Sequence, residues 1–77
     1  MRPEKLVHMA NQIGSFFATQ KKLDAGTEIA DHIRKFWDPR MRAAICAYLH
    51  EGGEGLTPEA TAAIKIIDAE RTAQAGS

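Results

Sequence analysis

Apolar residues recur every three to four positions along most of this chain, the spacing that places them on one face of an α-helix. This pattern predicts a first helix from Pro3 to about Thr19. Its apolar stripe consists of Leu6, Ala10, Ile13 and Phe17, widened by Met9 and Phe16. Its opposite face carries His8, Asn11 and Ser15. Gly14 lies beside the stripe, where a missing side chain would allow a close contact with another helix.

The second and third helices are predicted on either side of a sharp break. After a polar connection at residues 20–26, Thr27 suits the N-cap of a helix that runs to about Trp37. Its inward face carries Ile29, Ile33 and Phe36. Asp38 can then cap a third helix that starts at Pro39, because proline costs nothing at the first helical position. That helix is expected to end near His50, with an inward face of Met41, Ile45, Tyr48 and Leu49.

The fourth helix carries two apolar stripes. Gly52, Gly53 and Gly55 supply a turn, and Thr57 is the predicted cap of a helix that continues to about Ala73, with a frayed tail at residues 75–77. The core stripe consists of Ala60, Ala63, Ile64 and Ile67. The second stripe consists of Ala62, Ile66, Ala69 and Ala73. A small domain can bury only one face of such a helix, so the second stripe could be covered by another copy of the chain. The alternative is that its alanines are present only because alanine favours helix.

No segment alternates apolar and polar residues as a strand would, so the prediction is one all-α domain over residues 1–77, a small bundle of about four helices. A chain of 77 residues buries only about 60% of its unfolded surface, and such chains usually need a partner or a staple. Its single cysteine, Cys46, fits a reducing cytosol. We expect a cytoplasmic protein, without a signal peptide or a membrane span.

The sequence shows no residues in a pattern that catalyses a reaction or holds a cofactor. His8, His32 and His50 lie on three different predicted helices, so no metal-ligand spacing is present. Cys46 has no activating neighbour in sequence, and its role stays open. The glycines at 52, 53 and 55 lack the strand and the lysine of a phosphate loop. No catalytic, cofactor-binding or metal-binding residue is therefore predicted.

The corner between helices two and three is the best candidate for binding a protein partner. Trp37 lies there among four basic residues, and a large aromatic side chain rimmed by arginines is common in protein interfaces. The basic residues are Arg34, Lys35, Arg40 and Arg42. A helix-turn-helix module that binds nucleic acid is the alternative, but ten basic and ten acidic residues cancel, which removes most of the expected attraction to phosphates.

Three blocks of the sequence resemble one known family. They are MANQIGSFF at residues 9–17, IADHIRKFWDPRMR at residues 29–42 and GGEGL at residues 52–56. In order and spacing they are similar to the delta subunit of NAD-dependent, molybdenum-containing formate dehydrogenases. The resemblance extends from about Lys5 into the fourth helix, and the FWDPRMR block is its most specific part.

That resemblance implies a small cytoplasmic accessory subunit without cofactors of its own. Its partners would be the alpha, beta and gamma subunits of formate dehydrogenase, and its role would be to assemble or stabilise the complex, with maturation of the molybdenum cofactor as one suggested occasion. Neither nucleic acid nor a membrane is an expected partner. The matching blocks supply the expected partner-binding residues, which are Asn11, Gln12, Phe36, Trp37, Pro39, Arg40, Met41 and Arg42.

Overall fold

The computed structural model of the chain describes residues 2–19 and 24–75, and these residues form four α-helices without a strand. The helices are α1 (Pro3–Ala18), α2 (Ala25–Phe36), α3 (Pro39–His50) and α4 (Pro58–Ala75). The all-α prediction is therefore confirmed. Residues 20–23, most of the expected polar connection, and residues 76–77 of the expected frayed tail lie outside the described part, whereas Ala75 still belongs to α4.

Helix α2 begins two residues earlier than predicted, because an aspartate caps it. The Asp24 carboxylate accepts hydrogen bonds from the backbone N–H of Gly26 at 3.1 Å and from the Thr27 hydroxyl at 2.9 Å. The prediction of Thr27 as the N-cap was therefore wrong. Aspartate satisfies the free N–H groups of a helix start at least as well as threonine, and Ala25 favours the helix that follows.

The predicted starts of α3 and α4 are confirmed by their caps. Asp38 accepts a hydrogen bond from the backbone N–H of Met41 at 2.9 Å, and Thr57 accepts one from Ala60 at 3.2 Å. Between α3 and α4, all three turn glycines have positive φ angles, with Gly53 at 62° close to the left-handed helical region. A side chain is strained in such a backbone conformation, so this turn depends on glycine.

The core lies between the four helices, and α4 packs chiefly against α2. The predicted core stripe of α4 is confirmed, since all four of its residues are buried. On α3, Ile45 and Cys46 are buried, whereas the other expected inward residues are half-buried. The buried core consists of Leu6, Ala10, Ile29, Ala30, Ile33, Trp37, Ile45, Cys46, Ala60, Ala63, Ile64 and Ile67.

The face of α1 that is buried in the core is narrower than the predicted apolar stripe and consists mostly of small residues. Its buried residues are Leu6, Ala10 and Gly14, spaced by four. A Cβ atom added to Gly14 would lie 3.2 Å from Cδ1 of Ile29, so the predicted close helix contact at this glycine is confirmed. Phe16, expected to widen the stripe, is instead 62% exposed.

The second apolar stripe of α4 is partly used within the chain. A Cβ atom added to Gly26 would lie 3.2 Å from Cβ of Ala62, so α2 and α4 approach closely at this point. Ile66 is half-buried and packs against the core. Ala62, Ala69 and Ala73 are exposed. Self-association through this stripe stays a prediction, but its largest side chain already has a partner inside the domain.

Candidate protein-docking groove

An apolar groove crosses the surface where α1, α2 and the start of α3 meet, and we call it the aromatic groove. It consists of two adjoining clefts of about 300 and 340 Å³ that share Gln12, Ile13 and His32. The full set of lining residues is Met9, Gln12, Ile13, Phe16, Phe17, His32, Phe36, Trp37 and Met41. Exposed apolar surface of this kind is typical of protein-interaction sites, so the groove is the candidate docking surface of the domain.

Two exposed phenylalanines flank this groove, Phe16 on α1 and Phe36 on α2. They are 62% and 71% exposed, the largest exposures among the bulky apolar side chains described. Each ring is held by a neighbour: Phe16 meets Phe17 edge to face at a centroid distance of 5.1 Å, and Phe36 lies 4.6 Å from the His32 ring. Rings held in this way lose little conformational freedom when a partner covers them.

Trp37, which was expected to anchor a partner at the corner between α2 and α3, lies inside the domain instead. It is only 4% exposed and belongs to the core of the domain. The helix ends at Phe36, and Trp37 has an extended backbone (φ −93°, ψ 139°), which allows its indole ring to follow Ile29 and Ile33 inward. Phe36, predicted to lie inward, is the exposed one. Helical spacing places both rings beside the same stripe, and the core accommodates only one.

Asn11 also serves the chain itself. Its amide donates a hydrogen bond to the Gly55 carbonyl at 2.9 Å and accepts one from the backbone N–H of Thr57 at 3.0 Å. It therefore fastens α1 to the glycine turn and to the start of α4. The neighbouring Gln12 is exposed and lines the groove, so of the two polar residues only Gln12 remains available to a partner there.

The residues after the corner are divided between two surfaces. Met41 is half-buried and lines the groove. Arg42 instead donates through Nη1 to the carbonyl oxygens of Trp37 and, at 3.4 Å, Arg34. It thereby satisfies carbonyl groups at the end of α2, which have no partner within the helix. Pro39 and Arg42 line a separate pocket with residues of α4, and Arg40 is exposed.

The remaining basic residues of the corner, Arg34 and Lys35, form ion pairs with residues of α2 and α4. Arg34 binds Glu70 of α4 through two parallel hydrogen bonds of 3.1 and 2.7 Å, which raises the pKa of Arg34. Lys35 lies 3.0 Å from Asp31, and this hydrogen bond, together with Arg34, lowers the pKa of the Asp31 carboxyl. Within residues 2–19 and 24–75, neither Arg40 nor Arg42 forms an ion pair with Asp31 or Asp38.

The histidines and the cysteine are dispersed. His50 lies 2.8 Å from Asp68 and links α3 to α4, His32 lines the groove, and His8 is exposed on α1. Cys46 is buried, and burial raises the pKa of its thiol, so the reactive thiolate is disfavoured. In the described part of the chain, no three His, Cys, Asp or Glu side chains are grouped so that they could hold a metal ion.

The helix-turn-helix alternative finds the tight connection it requires, since only Trp37 and Asp38 separate α2 from α3. However, the exposed residues of α3 include only two that carry or can gain a positive charge, Arg40 and His50. A recognition helix normally presents several basic or amide side chains to the DNA. The face of α3 therefore offers little for phosphates or bases.

Sequence reasoning missed Phe16 and His32 as site residues. Phe16 was assigned to the core because it lies next to the apolar stripe of α1, and His32 was considered only as a metal ligand. One signal was present: Phe16 and Phe17 are adjacent, and adjacent side chains on a helix point in different directions, so one of two neighbouring bulky rings can be left outside the core. The same argument applies to Phe36 and Trp37.

The fold and the groove define a small helical domain with an exposed apolar surface between its helices. The family model of the NADH-dependent formate dehydrogenase delta subunit FdsD matches residues 5–64, and the chain belongs to this family. Neither the comparison with curated proteins nor that with solved structures finds a match. Within the described residues, no helix is both long and apolar enough to cross a membrane.

Proposed function

We propose that this chain is a non-catalytic accessory subunit that docks on a cytoplasmic NADH-dependent formate dehydrogenase through the aromatic groove. Its partners are the alpha, beta and gamma subunits, of which one contributes the surface that covers the groove. Docking there stabilises the assembled complex or a state on the way to it, such as a subunit receiving its molybdenum cofactor. Membership of the delta-subunit family supports the choice of partner.

The exposure of Phe16 and Phe36 is the observation that carries this proposal. Burying a phenylalanine side chain that was exposed contributes about 1.5–3 kcal/mol. Two such rings beside one groove would stabilise a complex that buries them, whereas they lower the solubility of a chain that has no partner. Of the partner-binding residues expected from sequence, Gln12, Phe36, Trp37 and Met41 line the groove, Trp37 with only 4% of its surface exposed.

Three polar side chains that could take part in chemistry have structural roles in the domain, which supports the non-catalytic part of the proposal. The Cys46 thiol is buried and protonated at neutral pH, since its pKa is raised. His50 is paired with Asp68, and the Asn11 side chain is hydrogen-bonded to the turn before α4. An accessory role requires only a stable surface, and these contacts provide one.

The test compares cells that make the full complex with cells that lack only this chain. We expect deletion to lower formate-dependent NAD reduction per alpha subunit and to lower recovery of the assembled complex, while the catalytic subunits are still made. Equal specific activity and equal recovery in both strains would remove the accessory-subunit proposal.

Two groove variants then locate the contact. Phe36→Ala and Phe16→Ala should release the chain from the complex. Each should cost ~2 kcal/mol or more of binding free energy if the ring is a hot spot. Lys65→Ala is the control, because Lys65 is exposed on α4 and does not line the groove. Release of the chain by the control as much as by the phenylalanine variants would place the contact elsewhere.

A further inference from the structure

Three arginines from three different helices line one pocket on another side of the domain. Arg34 of α2, Arg42 of α3 and Arg71 of α4 surround a volume of about 370 Å³ together with Glu70. Ile67, which is 2% exposed, and Pro39 complete its lining with apolar surface. We call this the arginine pocket. Ion pairs are stronger beside apolar surface than in open water, because the local dielectric constant is lower.

The charges in this pocket do not balance. Glu70 is the carboxylate that lines it, and its two oxygens are bound to Arg34. Asp68 lies in the adjoining cleft beside Arg71 but is hydrogen-bonded to His50. Within the described residues, neither Arg42 nor Arg71 lies within 4.0 Å of a carboxylate oxygen. Among residues 2–19 and 24–75, two guanidinium groups therefore lack an acidic partner, in a chain whose net charge is zero.

The two unpaired guanidinium groups still have donors to offer. Arg42 uses Nη1 for the carbonyl groups at the end of α2, and the described part of the chain holds no further hydrogen bond from this side chain. Arg71 is exposed near the end of α4. A guanidinium group carries five N–H donors in a planar fork that fits a carboxylate. Arg34 shows this geometry with Glu70.

The arginine pocket is separate from the aromatic groove. Arg34 lies two residues from both His32 and Phe36 on α2, and residues two apart on a helix do not share a face. No residue lines both sites. A partner that covers the groove could thus reach the arginine pocket only with a second segment.

We infer that the arginine pocket binds carboxylate side chains of an acidic segment on the partner subunit, through guanidinium pairs like the one between Arg34 and Glu70. This inference rests on the proposed function, since it assigns the segment to the same partner. A carboxylate is the ligand of choice, because Arg34 in this pocket already binds both oxygens of one carboxylate, that of Glu70, through two parallel hydrogen bonds. Charge complementarity of this kind mainly accelerates association and sets its salt dependence.

The experiment measures binding of the purified chain to immobilised formate dehydrogenase from cells that lack it, over a range of ionic strengths. Arg71→Glu should lower the association rate constant about tenfold at low salt and flatten its salt dependence, with less effect on dissociation. Lys65→Glu is the matched control, since it makes the same charge change at an exposed position on the same helix outside the pocket. Its effect should be roughly twofold or less.

Glu70→Gln tests the sign of the effect. If acidic groups enter this pocket, removing its carboxylate should speed association, whereas a purely structural role for the Arg34–Glu70 pair predicts slower or unchanged binding. Equal slowing by Arg71→Glu and Lys65→Glu would show that only net charge matters, and would overturn the inference.

Failure of the wild-type chain to bind the complex at all would refute the proposed function, and the pocket is then tested alone. A hexaglutamate peptide and inorganic phosphate are titrated into the chain and followed by NMR. Peptide binding that Arg71→Glu abolishes supports an acidic-segment site. Phosphate binding without peptide binding, or no binding of either, overturns it.

Discussion

Helix α2 packs very differently on its two sides. Toward α4 it forms a closed seam: Gly26 and Ala62 bring the two backbones together, Ile29 and Ile33 are fully buried, and the Arg34–Glu70 pair closes the far end. Toward α1 the first part of α2 is equally tight, at Gly14. Beyond that point the helices leave the aromatic groove open between them.

The difference shows how a chain of 77 residues combines a stable core with an unsatisfied surface. The seam uses small residues, which allow helices to approach and exclude water. The groove is lined by large aromatic residues, of which Phe16 and Phe36 remain exposed. We therefore expect stability to depend on the seam and the buried tryptophan, whereas the proposed docking depends on the groove. Variants should separate the two.

The largest effect is expected at two adjacent aromatic residues. Trp37→Ala should lower the free energy of unfolding by about 3–5 kcal/mol, because it empties a buried site in the core. Phe36→Ala should change it by about 0.5 kcal/mol or less, because that ring is exposed. Urea denaturation followed by circular dichroism measures both. Similar losses for the two variants would mean that core and groove are not distinct.

The next effect concerns the two glycines at close helix contacts. Gly26→Ala should destabilise the domain by about 1–3 kcal/mol, since its new methyl group meets Cβ of Ala62, which cannot rotate away. Gly14→Ala should be nearly neutral, because it meets the movable end of Ile29 and alanine favours helix by about 1 kcal/mol.

A double variant checks the cause. Adding Ala62→Gly to Gly26→Ala removes the opposing methyl group, so the two substitutions should couple favourably in a double-mutant cycle. Additive effects would show that steric contact between α2 and α4 is not the reason for the loss.

A smaller effect is expected where α1 is fastened to the turn before α4. Asn11→Ala removes two hydrogen bonds, to Gly55 and Thr57, and should cost about 1–2 kcal/mol of stability. The adjacent Gln12→Ala should cost little, since Gln12 is exposed. Thermal unfolding of the two variants measures the difference. The opposite order would return Asn11 to the docking surface predicted from sequence.

The smallest effect is a dependence of stability on acid pH at the outer face of α2. The hydrogen bond from Lys35, together with the charge of Arg34, lowers the pKa of Asp31, so the folded state holds this carboxylate charged more readily than the unfolded chain. The resulting stability is present above the ordinary pKa of an aspartate and is lost as the pH falls through the lowered pKa. The Asp31 side chain is 43% exposed, so the effect should be small and weaker in salt.

The measurement for Asp31 is the slope of unfolding free energy against pH in the acid range. Asp31→Asn should have a shallower slope than the wild-type chain at low salt, and the two should converge at high salt. Identical slopes at low salt would show that these ion pairs do not contribute.

The helix boundaries were largely predictable, because local chemistry sets them. Asp38 and Pro39 begin α3, and the turn glycines, with their positive φ angles, form the connection between α3 and α4. The error at the start of α2 was a choice between two capping residues, Asp24 and Thr27, which both take part in the cap. The candidate site was less predictable, because exposed and buried aromatic residues looked alike.

The amino-acid sequence by itself determined the four helices, the core stripe of α4 and the three blocks by which the family is recognised. Only the tertiary structure decided that Trp37 is buried, that Phe16 and Phe36 are exposed, and that Asn11 binds the turn before α4. The reason is that helical periodicity relates residues to the axis of their own helix. Which face a neighbouring helix covers, and how closely, depends on contacts such as Gly14 with Ile29 and Gly26 with Ala62, between residues far apart in sequence.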